Sequence, residues 1–150
     1  TTVNDAPVLI IPSIPTVAAN QSTLISGITI TDVDANDSIP LTVTIAVNTG
    51  TISLGTVNGL HFVTGDGIDD QRFAIQGNLD NLNAALATLS YRGGSSSTGT
   101  LSITVNDNGN GDNGITAFSI GSSIVLTIAN VIEGTNADES FTLTQRTDQI

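Results

Sequence analysis

The sequence predicts an all-β sandwich of about seven to nine strands with one short helix. Three observations predict it. Hydrophobic residues fill 39% of the 150 positions but aromatics only 3%, so the core has to be built from Val, Ile, Leu and Ala. Those β-branched side chains, together with abundant Thr, suit the pleated, half-buried surface of a sheet better than a helix. Short apolar stretches also alternate with polar residues between clusters of Gly, Pro, Asn and Asp.

In chain order, Val8–Ile11 forms a short first strand, its ladder limited by Pro7 and Pro12, and Pro15–Ala19 continues it as an edge. Leu24–Thr31 comes next. In Leu41–Val47 the side chains of Leu41, Val43, Ile45 and Val47 share one face, and Thr42, Thr44 and Ala46 the other. Asn48-Thr49-Gly50 turns the chain into Thr51–Val57, and Asn58-Gly59 has the composition of a type I′ hairpin turn into Leu60–Val63. Arg72–Gln76, Leu101–Val105, Ile115–Ile120 and Ser123–Ile128 complete the strands. One segment breaks the pattern: Leu79, Leu82, Leu86 and Leu89 recur at spacings of three, four and three, which is helical period. A helix over residues 80–88, capped by Asn78 or Asp80, then packs its Leu face on the sandwich as a crossover. Gly93–Gly99 and Asn106–Gly114 are loops. The sandwich is expected to occupy residues 1–130. Residues 131–150, polar and holding both glutamates, Glu133 and Glu139, form a linker or the start of a next unit.

Charge narrows the functions. Fourteen acidic residues stand against Arg72, Arg92 and Arg146, with no Lys, for a net charge of −11. Nucleic acid and anionic membrane surfaces both require a basic patch, so neither is an expected partner. Such self-repulsion opposes compaction unless cations neutralise it. The lack of Cys excludes disulfides, thiolate metal sites and Cys nucleophiles, and the lack of Lys excludes a Lys–Asn isopeptide staple. No apolar run reaches the ~20 residues of a membrane-spanning helix. Thr1–Val3 is no signal peptide, and a chain without Met is expected to be an excerpt of a longer one. His61, the single histidine, lies in the strand pattern Leu60-His61-Phe62-Val63 and is expected to face outward, so no catalytic triad can be assembled around it.

Acids gather next to particular strand ends. Asn4 and Asp5 precede the first strand, Asp32 and Asp34 come after the second, and Asn106 and Asp107 come after Leu101–Val105. Strand 1 starts at the pole where even-numbered strands end, so these three pairs meet if Leu101–Val105 is even-numbered. The alternation in Asp32-Val33-Asp34 puts both carboxylates on one side of an extended chain. Converging carboxylates repel one another unless a cation sits among them, and calcium takes six to eight oxygens in flexible geometry. Individually, Asp5 and Asp107 are equally good turn formers. Other calcium patterns fail: counted from Asp32, an EF-hand would need Gly and Glu where Asp37 and Val43 stand, and Gly65-Asp66-Gly67-Ile68-Asp69 is a single unrepeated fragment of a β-roll motif. Asp66, Asp69 and Asp70 fit a solvated turn better than a second ion site.

Several stretches resemble a known family. Val3-Asn4-Asp5-Ala6-Pro7, Ile25-Ser26-Gly27-Ile28, Asp32-Val33-Asp34-Ala35, Thr64-Gly65-Asp66-Gly67, Leu82-Asn83-Ala84-Ala85-Leu86 with Leu89-Ser90-Tyr91, and Ile103-Thr104-Val105-Asn106-Asp107 resemble, in order and spacing over residues 2–130, the cadherin-like tandem repeats of giant RTX-type bacterial surface adhesins. The resemblance implies an Ig-like, cadherin-like Greek-key sandwich with Ca2+ at the junctions between repeats. It assigns Asn4 and Asp5 to the incoming linker, Asp32 and Asp34 to an Asp-x-Asp motif, and Asp107 to the later shared ligand. The chain departs from the family where a Glu is usual near the end of the first strand, since Val17-Ala18-Ala19-Asn20 stands there. The outgoing Ala129-Asn130-Val131-Ile132-Glu133 also lacks the usual Asn-Asp-Ala-Pro. The function expected from the resemblance is that of a calcium-stabilised extender at the bacterial cell surface, monomeric in isolation. Its expected partners are neighbouring repeats and calcium, and no catalysis is expected. A glycan- or peptide-binding module is the competing expectation, weakened by the scarcity of aromatic platforms.

Overall fold

The computed structural model describes residues 3–14, 16–112 and 115–129, so the expectation for residues 131–150 lies outside the described residues. Eleven strands and one helix run along them: β1 (Val8–Ile10), β2 (Val17–Ala18), β3 (Ser22–Leu24), β4 (Thr29–Thr31), β5 (Leu41–Val47), β6 (Thr51–Ser53), β7 (His61–Thr64), β8 (Arg72–Gly77), α1 (Leu79–Leu86), β9 (Ser90–Arg92), β10 (Thr98–Asn106) and β11 (Ser119–Ala129). The fold is the predicted β-sandwich with one short helix. One layer is the six-stranded sheet β2-β11-β10-β5-β8-β7; the other is made of β1-β4 and β3-β9-β6. No described helix is long and apolar enough to cross a membrane.

Period-two patterning builds the core. Leu41, Val43 and Ile45 of β5 and Leu101, Ile103 and Val105 of β10 are all fully buried, and the two strands lie side by side with Ile45 opposite Ile103. Ile25, Ile28, Ile30, Ile52 and Tyr91 close over them from the second layer. Tyr91 is held inside by its hydroxyl, which donates to the Thr49 carbonyl at 2.8 Å, as a buried phenol requires. Helix α1 contributes Leu82, Ala85 and Leu86, and Leu89 is buried just beyond its end, so all the spaced leucines except the half-buried Leu79 serve the core. Asn78 is the cap, accepting the Asn81 amide at 2.9 Å, while Asp80 sits in the first turn, where the helix dipole favours an acid.

Four elements depart from expectation. The edge at Pro15–Ala19 becomes β2, which pairs in parallel with the end of β11, Val17 opposite Ile128. The first strand thus changes layer, pairing with β4 as β1 and with β11 as β2. Leu24–Thr31 splits into β3 and β4 because Gly27 takes φ +91°, with its missing Cβ 2.9 Å from Pro12 Cγ. Asn58-Gly59 does not join a hairpin: β6 pairs with β9 and β7 with β8. Only Gly59 has positive φ, and Leu60 N–H bonds to the Val57 carbonyl, the pattern of a type II turn rather than the type I′ that needs both central residues left-handed. Finally, the two strands expected at Ile115–Ile120 and Ser123–Ile128 are one, β11, paired with β10 from Ser119 opposite Asn106 to Thr127 opposite Thr98.

These registers settle the strand parity. β1 leaves one pole of the sandwich, antiparallel to β4, and β10 runs antiparallel to both β5 and β11. Residues 4–5, 32–36, 107–111 and Thr116 meet at that pole, joined by hydrogen bonds and close packing.

Candidate metal centre

Asp107 continues the inward alternation of Leu101, Ile103 and Val105 one step past β10, and it is completely buried. Its Oδ1 accepts the Gly109 and Phe118 amides at 2.9 and 2.8 Å, and its Oδ2 accepts the Asn4 side-chain amide at 2.7 Å. Asn4 is 4% exposed and nearly saturated: its Nδ2 also donates to the Thr116 carbonyl at 2.8 Å, and its Oδ1 accepts the Gly111 amide at 2.8 Å. One amide thereby fastens the segment ahead of β1 to a loop more than a hundred residues away. The fit leaves no room at Gly111, where a Cβ would lie 2.5 Å from Asn4 Oδ1 and 2.7 Å from Asp34 Cβ. Gly111→Ala is therefore expected to cost about 1–3 kcal/mol, read as a fall in melting temperature with and without calcium; a neutral substitution would contradict this packing.

Beside this plug stands the Asp-x-Asp turn. Asp32 Oδ1 accepts the Asp34 amide at 3.0 Å, and Asp34 Oδ2 accepts the Asp5 amide. The Asn36 side chain donates to the Asn110 carbonyl, joining this turn to the loop after β10. Burial pushes the Asp32 carboxyl above its ordinary pKa; the Asp34 amide pulls it down, and repulsion from Asp107, Asp34 and Asp5 adds to the rise. All four acids therefore share one field. Arg72 and Arg92, the described arginines, sit elsewhere. Arg72 pairs with Ala46 near the far end of β5, and Arg92 with Thr51. Beside Asp32 opens a polar cavity of ≈ 180 Å³, lined also by Asn36, Asp37 and Asp80.

Two side chains at this pole have polar atoms without partners among the described residues. Asp32 Oδ2 is buried without a hydrogen bond, and so are both side-chain polar atoms of Asn110, a residue 2% exposed. Buried polar groups in folded proteins are nearly always satisfied, so these atoms mark where water or an ion belongs. No three His, Cys, Asp or Glu side chains among the described residues form a metal-holding group by themselves. A cation here has to draw amide and main-chain oxygens into its shell, which suits calcium, a hard ion that accepts all of these.

Of the residues singled out in the sequence, Asn4, Asp5, Asp32, Asp34 and Asp107 come together. Asn106 does not. Alternation turns it to the outer face of the sheet, opposite Thr42 and Ser119, where its Oδ1 accepts the Asn108 amide at 2.7 Å. Sequence reasoning missed Asn110, whose only signal is its place in a loop rich in Asn and Gly. At the other acidic cluster, Asp70 Oδ2 accepts the Asp66 and Gly67 amides and Asp66 Oδ1 the Ile68 amide, so these carboxylates close a turn, as expected. His61 is exposed on β7, also as expected.

No protein-family model matches the chain, and no curated protein matches it significantly. Among solved structures it is similar to a cohesin module from Clostridium perfringens ATCC13124 family 33 glycoside hydrolase, with 14% identity, coverage of 87% of this chain and 100% of that one, and a TM-score of 0.49.

Proposed function

We propose that this chain is a structural repeat of a bacterial cell-surface adhesin, stiffened by calcium at the pole where Asn4 and Asp5 dock. One observation carries the reading: the segment entering the sandwich is fastened to an acidic pole whose Asp32 and Asn110 keep buried polar atoms without partners among the described residues. An ion there neutralises part of the charge that the fold concentrates, and it joins the incoming segment to the body of the sandwich. A module preceding residue 4 would then be held at a fixed angle, and a tandem array would project a distal binding domain as a stiff rod. Neighbouring repeats and calcium are its partners, and the module performs no chemistry.

The aromatic residues favour this reading over glycan binding. Phe73 and Tyr91 are buried, and Phe62 stacks edge-on against Phe73 at 6.1 Å. No stacking platform is left among the described residues except Phe118, 39% exposed and alone.

Calorimetric titration of the protein with calcium tests the proposal. Saturable binding with a defined stoichiometry, accompanied by a rise in melting temperature, is expected. No heat and an unchanged melting temperature at millimolar calcium would refute it.

A further inference from the structure

We infer that Asn110 supplies its side-chain oxygen to the cation held by Asp32 and Asp34, while Asp107 serves as the anchor that positions Asn110 rather than as a ligand. The inference rests on the proposed calcium function and goes beyond the residues that the sequence pattern marks.

The backbone of Asn110 is fixed from two sides. Its N–H donates to the Asp107 carbonyl at 3.1 Å, and its carbonyl accepts the Asn36 amide. The next residue, Gly111, is pressed against Asn4 and Asp34. Asn110 is thus held between the Asp-x-Asp turn and the end of β10, 2% exposed, with no described residue bonded to its side chain. The other described polar side chains of this loop are engaged: Asn106, Asp107 and Asp112 accept main-chain amides, and Asn108 donates to the Pro40 carbonyl and Thr42 hydroxyl. A buried amide without a partner is the exception in folded proteins and carries a free-energy cost that water or an ion ordinarily relieves.

The chemistry of the pole indicates what arrives. The orphan atoms are Asn110 Oδ1, Asp32 Oδ2 and Asn110 Nδ2, two acceptors and one donor at one pole; a cation meets the two oxygens and leaves the amide hydrogens to water. Asp107 has little left to offer an ion, because three N–H donors already occupy its oxygens. The remaining described acids do not make a metal-holding group alone. A neutral amide oxygen completes such a shell without adding to the repulsion among Asp5, Asp32, Asp34 and Asp107, and hard divalent cations accept it readily.

The test compares Asn110→Ala and Asn110→Asp with the wild type, using calcium as the probe in calorimetry and melting temperatures in calcium and in chelator. Asn110→Ala should weaken calcium binding roughly tenfold or more. In chelator its melting temperature should not fall, because the substitution removes an unpartnered buried group. Asn110→Asp should retain binding. If wild type binds calcium and Asp32→Asn abolishes it, yet Asn110→Ala binds as tightly as wild type, the inference is overturned and the calcium reading stands. Equal losses of melting temperature in calcium and chelator, or loss of binding in Asn110→Asp as well, would also overturn it. If wild type itself binds no calcium, the underlying reading is what fails.

Discussion

Replacing Asp32 and Asp34 together by Asn is expected to lower the melting temperature in saturating calcium by about 10 °C, and to leave it unchanged or raise it in chelator. Asn preserves shape and keeps an oxygen for both local bonds, the Asp34 amide to residue 32 and the Asp5 amide to residue 34. The two charges are all that is lost. In chelator they are a burden: burial and three neighbouring acids hold Asp32 above its ordinary pKa, and the protein carries a net charge of −11. In calcium they hold the ion. A ligand at about 100 times its Kd stabilises the fold by about 2.7 kcal/mol, and each kcal/mol moves a domain of this size by about 3–5 °C. The opposite signs in the two buffers are the diagnostic. Thermal scans showing the same shift in both would remove the ion from the role of Asp32 and Asp34.

Asp107→Ala is expected to act differently, destabilising the protein by about 3–5 kcal/mol in calcium and in chelator alike. It removes the side-chain acceptor of the Gly109 and Phe118 main-chain amides and one of the two acceptors of the buried Asn4 side-chain amide. The Asn4 plug loosens with it, and residues 4–5 are left docked only through Thr116, Gly111 and Asp34. Chemical denaturation in both buffers checks this. A loss confined to calcium would make Asp107 an ion ligand, as the resemblance to cadherin-like junctions implies, instead of a structural tie.

Much of this was legible in the sequence, for identifiable reasons. β5 declared itself because one face is buried and the other is not, so Leu41, Val43, Ile45 and Val47 had to alternate with Thr42, Thr44 and Ala46. α1 was legible because Leu82 and Leu86 face the core at helical spacing. The Asn58-Gly59 turn misled because its signal is local, whereas strand partnership is a tertiary choice: β6 finds β9 across nearly forty residues of chain. The break at Gly27 was hidden for a similar reason, since it depends on Pro12 packing from another part of the chain. At the pole, their place just past strand ends marked Asp32, Asp34 and Asp107, although Asp32-Val33-Asp34 forms a turn closed by the Asp34 amide on Asp32 and not the extended chain expected. The same alternation that builds β10 turns Asn106 outward, but past Asp107 the periodicity stops, and nothing in the loop that follows marks Asn110 as inward.

The layer change of the first strand determines how the molecule responds to tension. Asn4 sits at one pole, while β11 carries the chain about 35 Å away at roughly 3.4 Å per residue. A pull between these points drags β2 one way and β11 the other along their shared parallel pairing, and likewise slides β1 against β4 and β11 against β10. The hydrogen bonds at both edges then lie across the load and share it, so they must rupture together instead of peeling apart singly, and the module resists stretching in shear.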